Sequence, residues 1–401
     1  MNNLFSKLSL DITAQLTNQC KKVEGIFFTP SNVVSAIYSF VDEFTTTNNI
    51  NIKNVLEPSC GSCQFIEFFD SHLPNVNFYG VEKNKIIFNK ISKLKFKNNV
   101  IIINNDFINE SFHNTFDLII GNPPYFVILK RDIPVEYSKF LQGRSNIYAI
   151  FLIKCLSLLN NNGILAFVLP KNFLNCTYYN LIRKHINENC KILNIIEFQN
   201  TFIDTDQETI VLILQKIKDN NEDFIYSKNN DLLVFNNQSN ISKIKKLYEN
   251  STTLSELKCD VNIGTVVWNE VKSILTNDQN KTLLIYSGDI TKNELIIKKY
   301  KNTDKKNYIH KKGKKDKIIV INRGYGKGKY SFDYCLIDID KEYLVENHLI
   351  TISNNSNNTI NNYDTIIKSF NDPRTNQFIE IFFGNNAINV KELLYYLPIY
   401  L

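Results

Sequence analysis

Between Asn54 and Gln215, short apolar runs alternate with longer helical stretches, and few architectures accommodate that alternation. The runs are Val55-Leu56, Phe78–Val81, Val100–Ile103, Phe116–Ile120, Ile164–Leu169, Ile192–Phe198 and Ile210–Leu214. Most are built from Ile, Val, Leu and Phe, as strands covered on both faces should be. Ala149–Leu159 and Tyr178–Asn187 read as helices between them. The pattern predicts an α/β fold with a doubly wound sheet, its ligands lying beyond the carboxyl ends of the strands.

The chain has 401 residues, enough for two domains. An Asn/Asp/Lys-rich stretch, Lys218 to Asn230, reads as a linker, and beyond it the alternation fades. The expected division is a catalytic domain over 1–220, with an N-terminal segment 1–50, and a second domain over 225–401. No apolar run reaches the ~20 residues that span a bilayer, and Met1 to Leu10 lacks a signal-peptide layout. Eight scattered cysteines are too few for a disulfide framework and read as free thiols. A cytoplasmic protein without membrane association is expected. Its Asn/Lys/Ile bias fits an AT-rich genome, bacterial or viral, the compartment then being the bacterial or the host-cell cytoplasm.

The charge is uneven. Lys298 to Lys329 holds thirteen basic residues and two acids, +11 within a chain whose net charge is +6, which leaves −5 for the rest. Such a patch on a mildly acidic body suits a polyanion, and a solvated lysine-rich loop is the plain alternative.

After the first strand comes Glu57-Pro58-Ser59-Cys60-Gly61-Ser62-Cys63, a tight turn of small residues leading into a helix. Small residues admit a ligand close to the backbone, and the helix start offers free amides. Glu82 ends the second strand, where an acid can accept from ribose hydroxyls. Asp106 follows the third strand and can accept from an adenine amino group. Acids at three successive strand ends point to an adenosine-containing ligand and away from a phosphate-rich one. Cys60 and Cys63 also have redox or half-zinc spacing, but no second such pair exists, and no metal is expected.

After the fourth strand, Gly121-Asn122-Pro123-Pro124-Tyr125 forms a turn stiffened by two prolines. It can hold the Asn122 amide oxygen and the Pro123 carbonyl at a fixed separation. Two such acceptors suit a planar amino group that donates two hydrogens. Accepting both raises electron density on a nitrogen whose lone pair is delocalised, and so favours its attack on a methyl carbon. Tyr125 offers an aromatic face to a base.

With these motifs the chain resembles the gamma class of S-adenosylmethionine-dependent DNA amino-methyltransferases, TaqI type. The resemblance covers nearly the whole chain. Phe27-Phe28-Thr29-Pro30 is similar to that family's N-terminal cofactor motif, and Leu56–Gly61 to its methionine-binding loop. The family fold is a Rossmann-like seven-stranded methyltransferase sheet followed by a separate α+β DNA target-recognition domain. By this resemblance Thr29, Glu57, Pro58, Ser59, Gly61, Glu82, Asp106, Phe107, Asn122 and Phe151 hold the cofactor. Asn122, Pro123 and Tyr125 are catalytic, and Phe202 stacks on the target base opposite Tyr125. Cys63 stands where the family usually has Gly, and its side chain would crowd the cofactor loop. The basic patch falls inside the recognition domain, with Lys312, Lys314, Lys315, Arg323, Lys327 and Lys329 as the expected DNA contacts.

The resemblance implies an adenine-specific, site-specific DNA methyltransferase that flips its base out of the duplex and serves a restriction-modification system. S-adenosylmethionine is its cofactor and double-stranded DNA its partner. A separate cognate restriction endonuclease is compatible with this reading, and a monomer suffices. Cytosine carbon methylation would need a cysteine beside a proline after the fourth strand, and none is there. Two rivals stay open. Asn-Pro-Pro-Tyr also serves methyltransferases acting on glutamine side chains or on rRNA, and a catalytically silent DNA-binding relative would keep the same outline.

Overall fold

In a computed structural model of the chain, the described residues are 4–143, 145–198, 208–228, 232–324, 330–354, 363–383 and 388–401. They form two compact units, Met1–Ile241 and Ser242–Leu401.

The first unit opens with helices α1 (Lys7–Gln15), α2 (Asn18–Glu24) and α3 (Ser31–Thr47). Strand–helix alternation follows: β1 (Asn54–Glu57), α4 (Gln64–His72), β2 (Asn77–Val81), α5 (Lys85–Ile91), β3 (Asn99–Ile103) and β4 (Phe116–Gly121). After the short α6 (Val135–Ser138) come α7 (Ile147–Leu158), β5 (Leu159–Pro170), α8 (Asn180–Asn189), β6 (Lys191–Phe198) and β7 (Thr209–Gln215). The seven strands form one sheet in the order β3-β2-β1-β4-β5-β7-β6, with β7 antiparallel to both its neighbours. This is a doubly wound seven-stranded sheet, as the sequence predicts.

Alternation along each strand sends successive side chains to opposite cores. Leu165, Phe167 and Leu169 of β5 face α7 and α8. Ile164, Ala166 and Val168 face the side that holds α3 and α4. Helix α7 is apolar on nearly every face because it is buried all round, and Lys154 is its one charge.

The expected boundary near 225 is corrected. Strands β8 (Ile225–Lys228) and β9 (Leu232–Phe235) form a hairpin that belongs to the first unit. Phe235 is fully buried in the core against α7 and α8. The buried Arg183 of α8 donates to the Leu233 carbonyl at 2.5 Å, and the Asn180 side chain accepts from the Leu233 amide at 2.9 Å. Asn221, inside the expected linker, is buried and accepts from the Ile192 amide at 2.7 Å. Polar composition suggested a linker there, yet these polar groups satisfy strand-edge and helix-end backbone.

The second unit is α+β. Cys259–Ile263, Leu349–Asn354, Ile318–Asn322 and Tyr334–Ile337 form an antiparallel four-stranded sheet. Leu275–Thr276, Tyr308–Ile309, Thr282–Ile285 and Tyr343–Val345 form a second, mixed one. Helices Tyr363–Phe370, Pro373–Phe382 and Val390–Tyr395 follow. Among the described residues, no helix is long and apolar enough to cross a membrane.

Candidate active site

A cavity of about 720 Å³ lies where β1, β2, β3 and β4 end. Every residue assigned to the cofactor from the sequence lines it: Thr29, Glu57, Pro58, Ser59, Gly61, Glu82, Asp106, Phe107, Asn122 and Phe151.

Glu57 closes β1 and is 2 % exposed. Burial pushes its carboxyl well above the usual carboxylate range. Its Oε2 is buried without a hydrogen-bond partner among the described residues. The Ile66 backbone amide serves the carboxyl, and the Oε2 side is left open to a cation or donor. Glu82 is better served: Oε2 accepts from the Gly61 amide at 2.9 Å and Oε1 from the Asn84 amide at 2.6 Å. Burial nevertheless raises it to about 7. Asp106 accepts from Lys83 Nζ at 2.8 Å and from the Ile108 amide at 3.0 Å. Each carboxylate oxygen keeps a second lone pair for a ligand.

Gly61 takes φ +51, and a Cβ there would come 3.3 Å from the Phe28 ring. Cys63 also has positive φ (+62), which explains why glycine suits the position. Its side chain is fully buried in the core and does not line the cavity. The thiol is turned into the core and away from the cavity. Burial pushes the Cys60 thiol well above the usual thiol range.

Phe107 and Phe151 form an aromatic wall, with ring centroids 4.9 Å apart. Beneath it, Lys154 Nζ donates to the carbonyls of Phe107, Ile108 and Glu110 at 2.6, 2.9 and 2.6 Å. The sequence reading missed Lys154, although a single lysine in a wholly apolar helix was a visible signal.

Acids at three strand ends, an aromatic wall and a glycine turn fit S-adenosylmethionine. Its cationic head group would meet Glu57, its ribose Glu82, and its adenine the Phe107–Phe151 wall. Among the described residues no group of three or more His, Cys, Asp or Glu could hold a metal ion.

Asn122 stands at the edge of this cavity. Its Nδ2 donates to the Phe27 carbonyl at 3.0 Å, and its Oδ1 is buried without a partner among the described residues. Tyr125 lies beyond the cavity, its hydroxyl donating to the Val168 carbonyl at 2.8 Å. Its ring meets Tyr148 edge-on at 5.9 Å, and Phe27 lies within 25° of parallel at 6.4 Å. Pro123 does not line the cavity, while Pro124 and Phe126 do. Phe202, Lys327 and Lys329 lie outside the described residues.

In the second unit the basic window is partly spoken for. Lys314 pairs with Asp316 at 3.7 Å, Lys315 with Asp340 at 2.8 Å and Lys317 with Asp338 at 3.1 Å. Lys305 lies 4.1 Å over the Tyr286 ring and 4.2 Å over Tyr300. Lys312, with Lys299, Lys301 and Lys311, is exposed. The sequence reading had named only Lys312 among these four. The Arg323 amide donates to the His348 carbonyl at 3.2 Å.

Residues 7–203 match the family described as Eco57I restriction-modification methylase. The chain is 29% identical to the modification methylase CviBIII of Paramecium bursaria Chlorella virus NC1A, over 99% of each protein. It is 28% identical to the type II methyltransferase M.CvrRI of Paramecium bursaria Chlorella virus XZ-6E, over 97% of this chain and 98% of that one. Among solved structures, a Listeria monocytogenes protein described as a class I S-adenosylmethionine-dependent methyltransferase is similar over 58% of this chain and 72% of that one, at 15% identity and a TM-score of 0.41. Over residues 7–203, a little under half of its length, the chain is thus similar to the Eco57I family of restriction-modification methylases.

Proposed function

We propose that the protein is a site-specific DNA methyltransferase that transfers a methyl group to the N6 amino group of an adenine flipped out of duplex DNA. The observation that carries this reading is the Asn122 amide oxygen, buried without a partner at the edge of a cavity suited to an adenosine-containing methyl donor. The near full-length similarity to two viral proteins named as methylases supports a DNA substrate, and it spans the second unit, to which we assign target recognition.

S-adenosylmethionine, when bound, supplies an electrophilic methyl on a cationic sulfur. The chain's own residues do the rest. Asn122 Oδ1 and the Pro123 carbonyl accept the two amino hydrogens and orient the nitrogen lone pair. Tyr125, with its hydroxyl tied to Val168, holds one wall of the base pocket. Extrusion costs a few kcal/mol of pairing and stacking, and each stack on an aromatic returns about 1–3 kcal/mol. Orientation and fixed dipoles supply most of the acceleration. In the second unit, the exposed Lys299, Lys301, Lys311 and Lys312 are assigned to phosphate contacts, and Arg323 to the groove.

The test is transfer of labelled methyl to unmethylated genomic DNA, read by nucleoside mass spectrometry and modification-aware sequencing. Label in N6-methyladenine at one short sequence, lost in Asn122→Ala, is the expected result. Label in protein or RNA instead would move the substrate, and DNA binding with no label anywhere would mean a silent relative.

A further inference from the structure

The Asn122 side chain is useful only one way round: its oxygen must face the incoming amino group. An amide can rotate about its last bond, so something must fix it. The Phe27 carbonyl lies 3.0 Å from Asn122 Nδ2, 95 residues away in sequence. A carbonyl can only accept. Facing it with the amide oxygen would set two acceptors together and bury the NH2 group unpaired, and both are unfavourable. The NH2 therefore turns to Phe27 and the oxygen is left free, as Oδ1 is.

The segment that delivers this carbonyl is itself wedged in place. Helix α2 ends at Gly25 in left-handed geometry, φ +66, which sends the chain toward the catalytic turn. A Cβ on Gly25 would come 2.7 Å from the Tyr125 amide nitrogen and 3.2 Å from Pro124. There is no room for a side chain between this backbone and the turn, so glycine at 25 is what lets the Phe27 segment come this close to Asn122. The Phe27 ring, near parallel to Tyr125, marks the same side of the turn.

We infer that Phe27 is a positioning residue for amino-group methylation: its main-chain carbonyl locks the Asn122 amide with the oxygen toward the substrate, at an approach that glycine at 25 permits. The inference rests on the methyl-transfer reading above. It gives the N-terminal segment a part in the chemistry as well as in holding the cofactor.

A double-variant cycle tests it. Gly25→Ala pushes the segment off the turn, and with S-adenosylmethionine at saturation it is expected to lower kcat by at least about tenfold. Combined with Asn122→Ala, it should cost nothing further, because the amide it orients is gone. Losses that multiply in the double variant would overturn the inference. A wild-type protein that methylates no DNA would defeat the proposed function instead, and a second measurement still decides the orientation. Asn122→Asp places a carboxylate against the Phe27 carbonyl and can fit it only when protonated. Its melting temperature should fall below that of Asn122→Ala at pH 8 and recover toward pH 4, and Gly25→Ala should shrink that pH dependence. Glu57 and Glu82 titrate in all these proteins and cancel in the comparison. A gap between the two variants that ignores pH, or ignores Gly25→Ala, would overturn it equally.

Discussion

Lys154, on α7, reaches across the core to donate a hydrogen bond to the Phe107 carbonyl at 2.6 Å. The same ammonium serves the Ile108 and Glu110 carbonyls and lies 4.8 Å from the Phe107 ring, so one cation builds the loop that carries Phe107 into the cavity wall. Lys154→Met keeps the stem and strands three carbonyls. It should lower stability by about 2–4 kcal/mol and weaken S-adenosylmethionine binding by about tenfold. Denaturant melts and calorimetry would check both, and unchanged cofactor affinity would detach the lysine from the site.

Glu82, raised to about 7, makes cofactor affinity depend on pH. Protonation removes the acceptor that ribose hydroxyls need, so affinity should rise between pH 6 and pH 8 and level off above. The folded carboxyl binds its proton more tightly than the unfolded one, so on its own its contribution to stability is full below the ordinary value of 4.5 and is lost as pH rises from there through about 7. Binding and stability therefore move in opposite directions across neutral pH. In Glu82→Gln the pH dependence of the dissociation constant should flatten; a wild-type constant that is flat from pH 6 to pH 8 would refute the assignment.

Cys63→Gly should leave the cofactor dissociation constant within about twofold of wild type, since the thiol is in the core and off the cavity. Stability should change by less than about 1 kcal/mol, relief of a left-handed non-glycine residue offsetting lost packing. A marked gain in affinity would show that the thiol does crowd the ligand.

The four exposed lysines should dominate DNA binding. Removing Lys299, Lys301, Lys311 and Lys312 together should reduce the slope of log K against log salt by about 3–4, at ~0.9 per phosphate contact. Lys315→Ala, which deletes a residue paired with Asp340, should reduce it by under about 0.5. Equal slopes for all variants would remove the basic window from the interface.

The sequence made the seven strands legible because a strand buried on both faces needs an unbroken apolar run, as in Ile164–Leu169. The acids and the Asn122 turn were legible because strand ends are where this architecture places ligands. Relationships that depend on distant backbone were hidden. Nothing near Asn122 reveals that its amide is oriented from Phe27, and nothing near Lys315 shows the pairing with Asp340. The Ile225–Phe235 hairpin was misplaced for the same reason, its anchors being Asn180 and Arg183 on a helix some fifty residues earlier.

That hairpin also decides where such enzymes can be recombined. Grafting a foreign second unit at residue 220 would strip the Leu233 carbonyl from Arg183 and the Phe235 ring from the core of α7 and α8. A crossover after Ile241 carries both along with the donor of the catalytic half. Chimaeras with exchanged target sequences should express as folded proteins when spliced there, and as aggregates when spliced at the polar stretch that looks like a natural seam.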